Sequence, residues 1–347
     1  HDLAVATHGR GLFVMDDLRP LEQMDDQIKD QPFHLFSTAP GTQFITWNRG
    51  EGAEPAFTTP NAPHGVVVDY YLGKELKASA DEKKQDQSPV KIEIKDSKGT
   101  VVDTEYGASK QGVNRYVWNM RYKGPTKLDF EHHMGGNEGF GGNSGPLVLP
   151  GAYSIAVTVN GKTQTDQAEV TSDPNQKLSI DEMRERTQRG LETRNQVSAL
   201  HEMLNRVVAM QNSLGEFEGK AASADKKAQY AEAVKQAKAL GKKLSALKDS
   251  VYNSDVQHDA IEDDIHYLQS LDDSLQYMMY AYLGDPQPYP PAVAETGSEL
   301  SAKLTGALSQ FNAILQTDVP AYNKAAYAAG APTLMVGEPV SVKPVTM

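Results

Sequence analysis

HDLAVATHGRGLFVMDDLRP, residues 1–20, decides the reading of this chain. Residues 3–7 and 12–16 are two short apolar runs. His8-Gly9-Arg10-Gly11 between them supplies the glycines that a tight hairpin turn needs. A lone two-stranded hairpin is barely stable in water. This one needs a sheet to join, and nothing ahead of it in the sequence supplies one. The expectation is that the chain is the C-terminal part of a larger protein. Residues 1–20 are then the last strands of a domain that precedes it.

Composition narrows the classes. The 347 residues leave room for two or three domains, and a hydrophobic fraction of 39% is low but adequate for folded cores. A formal net charge of −12 disfavours binding to nucleic-acid phosphates. No basic stripe interleaved with aromatics offsets it. No apolar run approaches 18 residues, so no membrane span is expected. Cysteine is absent, which excludes disulfides, thiolate catalysis and Cys-ligated zinc.

Downstream, the period of the sequence changes twice. Residues 21–32 look like a polar connector. Residues 33–172 read as β. GVVVDYYL (65–72) is β-branched and aromatic, VKIEIKD (90–96) alternates apolar and charged residues, and NRYVWNMRY (114–122) alternates again. GAYSIAVTVN (151–160) and residues 163–171 flank Asn160-Gly161, a strong hairpin signal. Short strands at regular spacing predict an antiparallel, immunoglobulin-like sandwich. Two stretches interrupt it, a charged loop at 74–88 and a Gly- and Asn-rich loop at 128–149.

Residues 173–330 read as α. Ser179 and Glu182 form a capping-box pattern. Leu200, Leu204 and Val207 mark one helix, and Val234, Leu244 and Leu247 a second. Ile261, Ile265, Leu268, Leu275 and Met278 mark a third, and Leu304, Leu308, Phe311 and Leu315 a fourth. The pattern predicts an antiparallel four-helix bundle. The tail, 331–347, reads as extended. The fold class is thus α+β and multi-domain.

Several blocks together resemble bacterial sortilin-type β-propeller proteins, often labelled sialidase-repeat or glycosyl-hydrolase-like. They are VATHGRGLFVMDDLRPL (5–21), GVVVDYYL (65–72), NRYVWNMRY (114–122), SGPLVLPGAYSIAVTVNGK (144–162), SDP (172–174) and TDVPAYNKAAYAAGAP (317–332). The resemblance implies a secreted or periplasmic bacterial protein with a large propeller ahead of this region. Sialidase-type repeats, Ser-x-Asp-x-Gly-x-Thr-Trp, do not occur here. The part of the family for which hydrolase activity has been supposed is therefore outside this chain.

Candidate sites are few. Glu131, His132 and His133 carry metal-ligating side chains, but adjacent histidines diverge in an extended chain and no HExxH spacing exists, so no metal site is expected. Residues 135–145 are Gly-rich without the spacing of a phosphate loop, and no cofactor is expected. Phe140 within them is a candidate anchor against a propeller or partner. Asp16-Asp17 and the cluster at 259–264 read as solvated acidic faces. His8 and Arg10 sit at the hairpin tip, where they face a ligand funnel or only hold the turn. Trp47, Tyr70, Tyr71, Tyr116 and Trp118 are either a sugar-stacking platform or sandwich core. No nucleophile elbow and no catalytic constellation is present.

The expected role is non-catalytic: bracing a propeller and mediating assembly, with the propeller or a partner chain, and with a homo-oligomer as a further option. His8, Arg10, Trp47 and Phe140 are the candidate interaction residues. Two rivals stand beside it: the lining of an exported hydrolase's cleft, and a carbohydrate-binding sandwich.

Overall fold

The computed structural model describes residues 1–45, 61–77, 88–130, 144–223, 227–254, 269–283 and 291–347. The elements are β1 (Leu3–Ala6), β2 (Leu12–Met15), α1 (Arg19–Gln23), α2 (Asp26–Lys29), β3 (Phe33–Leu35), β4 (Gly41–Gln43), β5 (Val66–Leu72), β6 (Val90–Lys95), β7 (Val101–Tyr106), β8 (Gly112–Trp118), β9 (Arg121–Lys123), β10 (Ser144–Leu147), β11 (Gly151–Val159), β12 (Lys162–Ser172), α3 (Ile180–Ser223), α4 (Lys227–Val251), α5 (Leu271–Leu283) and α6 (Pro291–Ala329). The chain is α+β, with its sheets first and its long helices last. It divides into two units: His1–Lys123 with Leu147–Arg184 and Met347, and Gly124–Pro146 with Glu185–Thr346.

In the first unit, a five-stranded sheet has the order β4-β12-β11-β6-β7 and a three-stranded sheet the order β3-β5-β8. All pairs are antiparallel except β12 with β4. The alternation read from residues 90–96 is real: Val90, Ile92 and Ile94 are fully buried, while Lys91, Glu93 and Lys95 are half-exposed. They share one core with Val66, Val68, Tyr70 and Leu72 of β5 and Tyr153, Ile155 and Val157 of β11. Asn160 (φ 49°) and Gly161 (φ 79°) make the turn that joins β11 to β12, as the sequence indicated. Gln164 on β12 holds β3, accepting from the Leu35 amide at 2.7 Å and donating to the Phe33 carbonyl at 3.2 Å.

The connector at 21–32 is more ordered than a polar linker. Pro20 lies in the first turn of α1, and Asp25 caps α2 by accepting from the Ile28 amide at 2.7 Å. The cap turns Ile28 inward, where it is buried.

The second unit is built on α3, α4, α5 and α6, whose apolar stripes form a separate core around Leu204, Val207, Leu244, Leu275, Phe311 and Val319. Ser179 and Glu182 close the capping box ahead of α3: the Ser179 amide donates to Glu182 Oε2 at 2.8 Å, and the Glu182 amide to Ser179 Oγ at 3.3 Å. Gln211 on α3 donates to Ser245 on α4, and Phe217 meets Tyr230, so these helices are antiparallel. Lys243 pairs with Asp318, and Gln229 donates to the Ala329 carbonyl, so α4 and α6 are antiparallel too. Contacts of α3 with α5, His201 to Asp272 and Arg186 to the Ala281 carbonyl, also run in opposite senses. Reversal therefore holds from α3 to α4 and from α5 to α6, whereas α4 and α5 run the same way. The third-helix positions Ile261, Ile265 and Leu268 lie outside the described residues.

Residues 124–130 read as sandwich in the sequence but group with the helices. They form no strand, so their main-chain groups need other partners. Ser198, His201 and Asn205 lie on one face of α3 and provide them. Ser198 Oγ accepts from the Thr126 amide at 3.1 Å, and Asn205 spans the Lys127 carbonyl and the Asp129 amide, both at 2.8 Å. Leu128 is buried in the helical core.

Candidate interaction surface

The hairpin of β1 and β2 is exposed along its whole length. Its register pairs Leu3 with Met15, Ala4 with Val14, Val5 with Phe13 and Ala6 with Leu12. Directly opposed residues share a face. Leu3, Val5, Phe13 and Met15 therefore make one face, and Ala4, Ala6, Leu12 and Val14 the other. Both are apolar. Leu12 is 71% exposed and Phe13 64%. A strand with only one buried side alternates apolar and polar residues; apolar residues on both sides mark strands covered on both.

The turn departs from the sequence reading. The Arg10 amide donates to the Thr7 carbonyl at 3.2 Å, and the Thr7 amide to the Gly11 carbonyl at 2.8 Å. Arg10, not a glycine, takes the left-handed conformation, with φ 68°. This is a three-residue loop, a β-turn followed by one left-handed residue, in which that last position favours glycine. Gly11 instead closes the turn by donating to Thr7 Oγ1 at 3.0 Å. His8 and Arg10 are both exposed at the tip.

At the foot of the hairpin, Asp17 (φ 57°) accepts from Arg19 Nε at 2.7 Å, and Asp2 Oδ1 accepts from the Asp17 amide at 3.0 Å. Asp16-Asp17 also lies in the field of Arg115, which grips Asp69 with two hydrogen bonds of 2.8 Å. The Asp69 hydrogen bond leads in raising the Arg115 pKa, against its burial. Asp69 is buried with both oxygens held by Arg115, so this pair fastens β5 to β8 and leaves no carboxylate free for acid–base work there.

The aromatic candidates separate. Trp118 and Tyr70 are fully buried. Trp118 Nε1 donates to the Arg121 carbonyl at 3.0 Å and its ring meets Tyr153 edge-on at 5.2 Å; Tyr70 donates to the Ala108 carbonyl at 2.6 Å. Neither offers a face to a sugar. Tyr71 and Tyr116 are half-buried. Trp47, Phe140, Glu131, His132 and His133 lie outside the described residues, as do residues 135–143 and the acidic cluster at 259–264. Among the described residues, no group of three or more His, Asp or Glu side chains could hold a metal ion. Among the described residues, no helix is long and apolar enough to cross a membrane.

A buried polar pair escaped the sequence reading. His201 on α3 and Asp272 on α5 are 3% and 0% exposed, with Nε2 to Oδ1 at 2.8 Å. His201 Nδ1 lies 2.6 Å from the Thr126 carbonyl oxygen, and Gln276 donates to Asp272 Oδ2 at 2.8 Å. Burial opposes charge on the ring; the Asp272 hydrogen bond and charge, with the Thr126 carbonyl, outweigh it and raise the His201 pKa. Seventy-one residues separate the partners, so no local motif announces them. The pair fastens α3 to α5 and to the segment at Thr126.

The helical unit does carry an open cleft of about 440 Å3, lined by residues that include Arg189, Glu192, Thr193, Ser298 and Thr305. Three of its hydroxyls are spent on their own helices: Thr193 donates to the Arg189 carbonyl, Ser298 to Ala294 and Thr305 to Ser301. No imidazole lines it to activate one of them.

No protein-family model, curated protein or solved structure matches this chain.

Proposed function

We propose that this chain is the non-catalytic C-terminal region of an exported bacterial β-propeller protein of the sortilin type, bracing the propeller and mediating assembly. In this reading β1 and β2 are the last strands of a propeller blade. An immunoglobulin-like sandwich and a four-helix bundle follow. The observation that carries it is the hairpin, apolar on both faces and exposed on both. Blades of a propeller stack face to face, so each is covered on two sides. A hairpin of this composition gains stability from cover on both faces, which a propeller supplies.

The test is the intact mass and N-terminal sequence of the protein from its source, with amide hydrogen exchange across residues 3–15. A species heavier than this chain, with sequence before His1 and a protected hairpin, is the expected result. A native species beginning at His1, or a heavier one whose hairpin amides exchange freely, overturns the reading.

A further inference from the structure

Beyond α6 the chain turns back at Gly330 (φ 67°) and runs to Thr346 without helix or strand, yet it is held along its length. Asn323 Nδ2 donates to the Leu334 carbonyl at 2.8 Å while its Oδ1 accepts from the Leu334 amide at 2.7 Å. Asn312 repeats this on Val340, with both distances 2.9 Å. The two asparagines are three turns apart on α6, about 16 Å, and so share a face. A side-chain amide carries one acceptor and a donor group, as a peptide unit does. Two of them at this spacing read a passing main chain as a sheet edge would.

Two residues of α3 grip the same segment. Arg206 donates to the Val336 and Glu338 carbonyls, both at 2.6 Å, with its guanidinium 5.2 Å from the centre of the Phe311 ring. Asn195 donates to the Lys343 carbonyl at 2.9 Å. Gly337 between the Arg206 contacts has φ 65°, and a Cβ there would lie 2.7 Å from Arg206 Nη2. Val340 is the buried anchor, 2% exposed. Every one of these polar contacts comes from a side chain. The tail can therefore leave with both helices intact.

We propose that the face of α3 and α6 bearing Asn195, Arg206, Asn312 and Asn323 is a peptide-binding site, and that the tail of a second copy is the ligand it takes in trans. The tail is an exchangeable arm. A second copy fits because it carries the required order: a partly buried Leu334, a glycine where a side chain would strike Arg206, and an aliphatic anchor at Val340. Exchange of identical segments preserves every contact and links two chains.

The experiment uses the full chain and a fluorescent peptide of residues 331–346. In the native chain the resident tail competes at millimolar effective concentration, so the peptide binds weakly. Val340→Asp in the chain weakens the resident tail, and the native peptide then binds at least tenfold more tightly. Adding Asn312→Ala and Asn323→Ala removes that gain. Gly337→Ala serves the same purpose if Val340→Asp loses its helical circular dichroism. A helical Val340→Asp or Gly337→Ala chain that does not capture the native peptide overturns the site. So does one that binds a Val340→Asp peptide equally well. Light scattering of the concentrated native chain tests exchange itself: a dimer that Asn312→Ala/Asn323→Ala cannot form is expected, and a monomer up to millimolar concentration overturns the second copy as ligand.

Discussion

Arg10 holds a left-handed backbone that glycine adopts without steric cost. Arg10→Gly should stabilise the hairpin by about 1 kcal/mol, read as slower exchange of the Thr7 amide. Asp103 is a second strained residue, electrostatically this time. Burial, with Glu105 adding to it, pushes its pKa up to about 6, against a backbone hydrogen bond from Thr104 and the charge of Lys123. The folded state therefore holds this proton where the unfolded chain has lost it. Its favourable contribution is complete below the ordinary value of 3.8 and is lost as pH rises through about 6. Asp103→Asn should raise stability at pH 7 by about 1–2 kcal/mol and leave stability at pH 3.5 nearly unchanged. Thermal melts at the two pH values check it. At this scale the sequence is legible where chemistry dictates conformation. Asn160-Gly161 gave its turn away because few other pairs take positive φ twice. The glycines at 9 and 11 misled because the neighbouring arginine carries the strain.

Helices and strands were readable from their periods, and their fastenings less so. The box at Ser179 and Glu182 was evident. Ser270 and Asp273 build the same reciprocal cap before α5, with the Ser270 amide donating to Asp273 at 2.8 Å and the Asp273 amide to Ser270 Oγ at 3.2 Å. The shorter acid hides it from a Ser-x-x-Glu search. Asn312 and Asn323 are by type indifferent helix formers; what they do depends on a segment that returns along the helix. His201 and Asp272 are the clearest case of information absent from local sequence. His201→Ala leaves the buried Asp272 carboxylate without its charge partner and should cost about 3–5 kcal/mol in urea unfolding. The native pair has a sign of its own. The ring's pKa is raised above 6.5, so its contribution is complete below that value and is lost as pH climbs through the folded pKa. Tyr252, Asp273 and Gln276 also surround Asp272. The Tyr252 pKa is pushed up to about 12, mainly by burial, so it titrates later. His201→Ala should therefore flatten the loss of stability on the alkaline side of neutrality.

Over the whole molecule, two cores share no residue. Trp118 is buried in the sheet unit, whereas the long helices dominate circular dichroism at 222 nm. Leu204→Ala should cost about 3 kcal/mol and lower the circular-dichroism midpoint more than the tryptophan-fluorescence midpoint. Ile92→Ala should do the reverse. Coincident shifts in both probes for both variants would show a single cooperative unit. The order of sheets then helices could be read from periodicity alone. Membership of residues 124–130 could not, because it rests on Ser198, His201 and Asn205 far along the chain.

The carbonyl-gripping face also has a history in time. Chains are made from the N-terminus, and early segments fold before late ones are released. Asn195 and Arg206 are synthesised well over a hundred residues before the strand of backbone they will hold. Asn312 and Asn323, in contrast, precede the backbone they hold by only 28 and 11 residues. The face is therefore completed only as its own tail is made, so the segment nearest in sequence is the first it can hold.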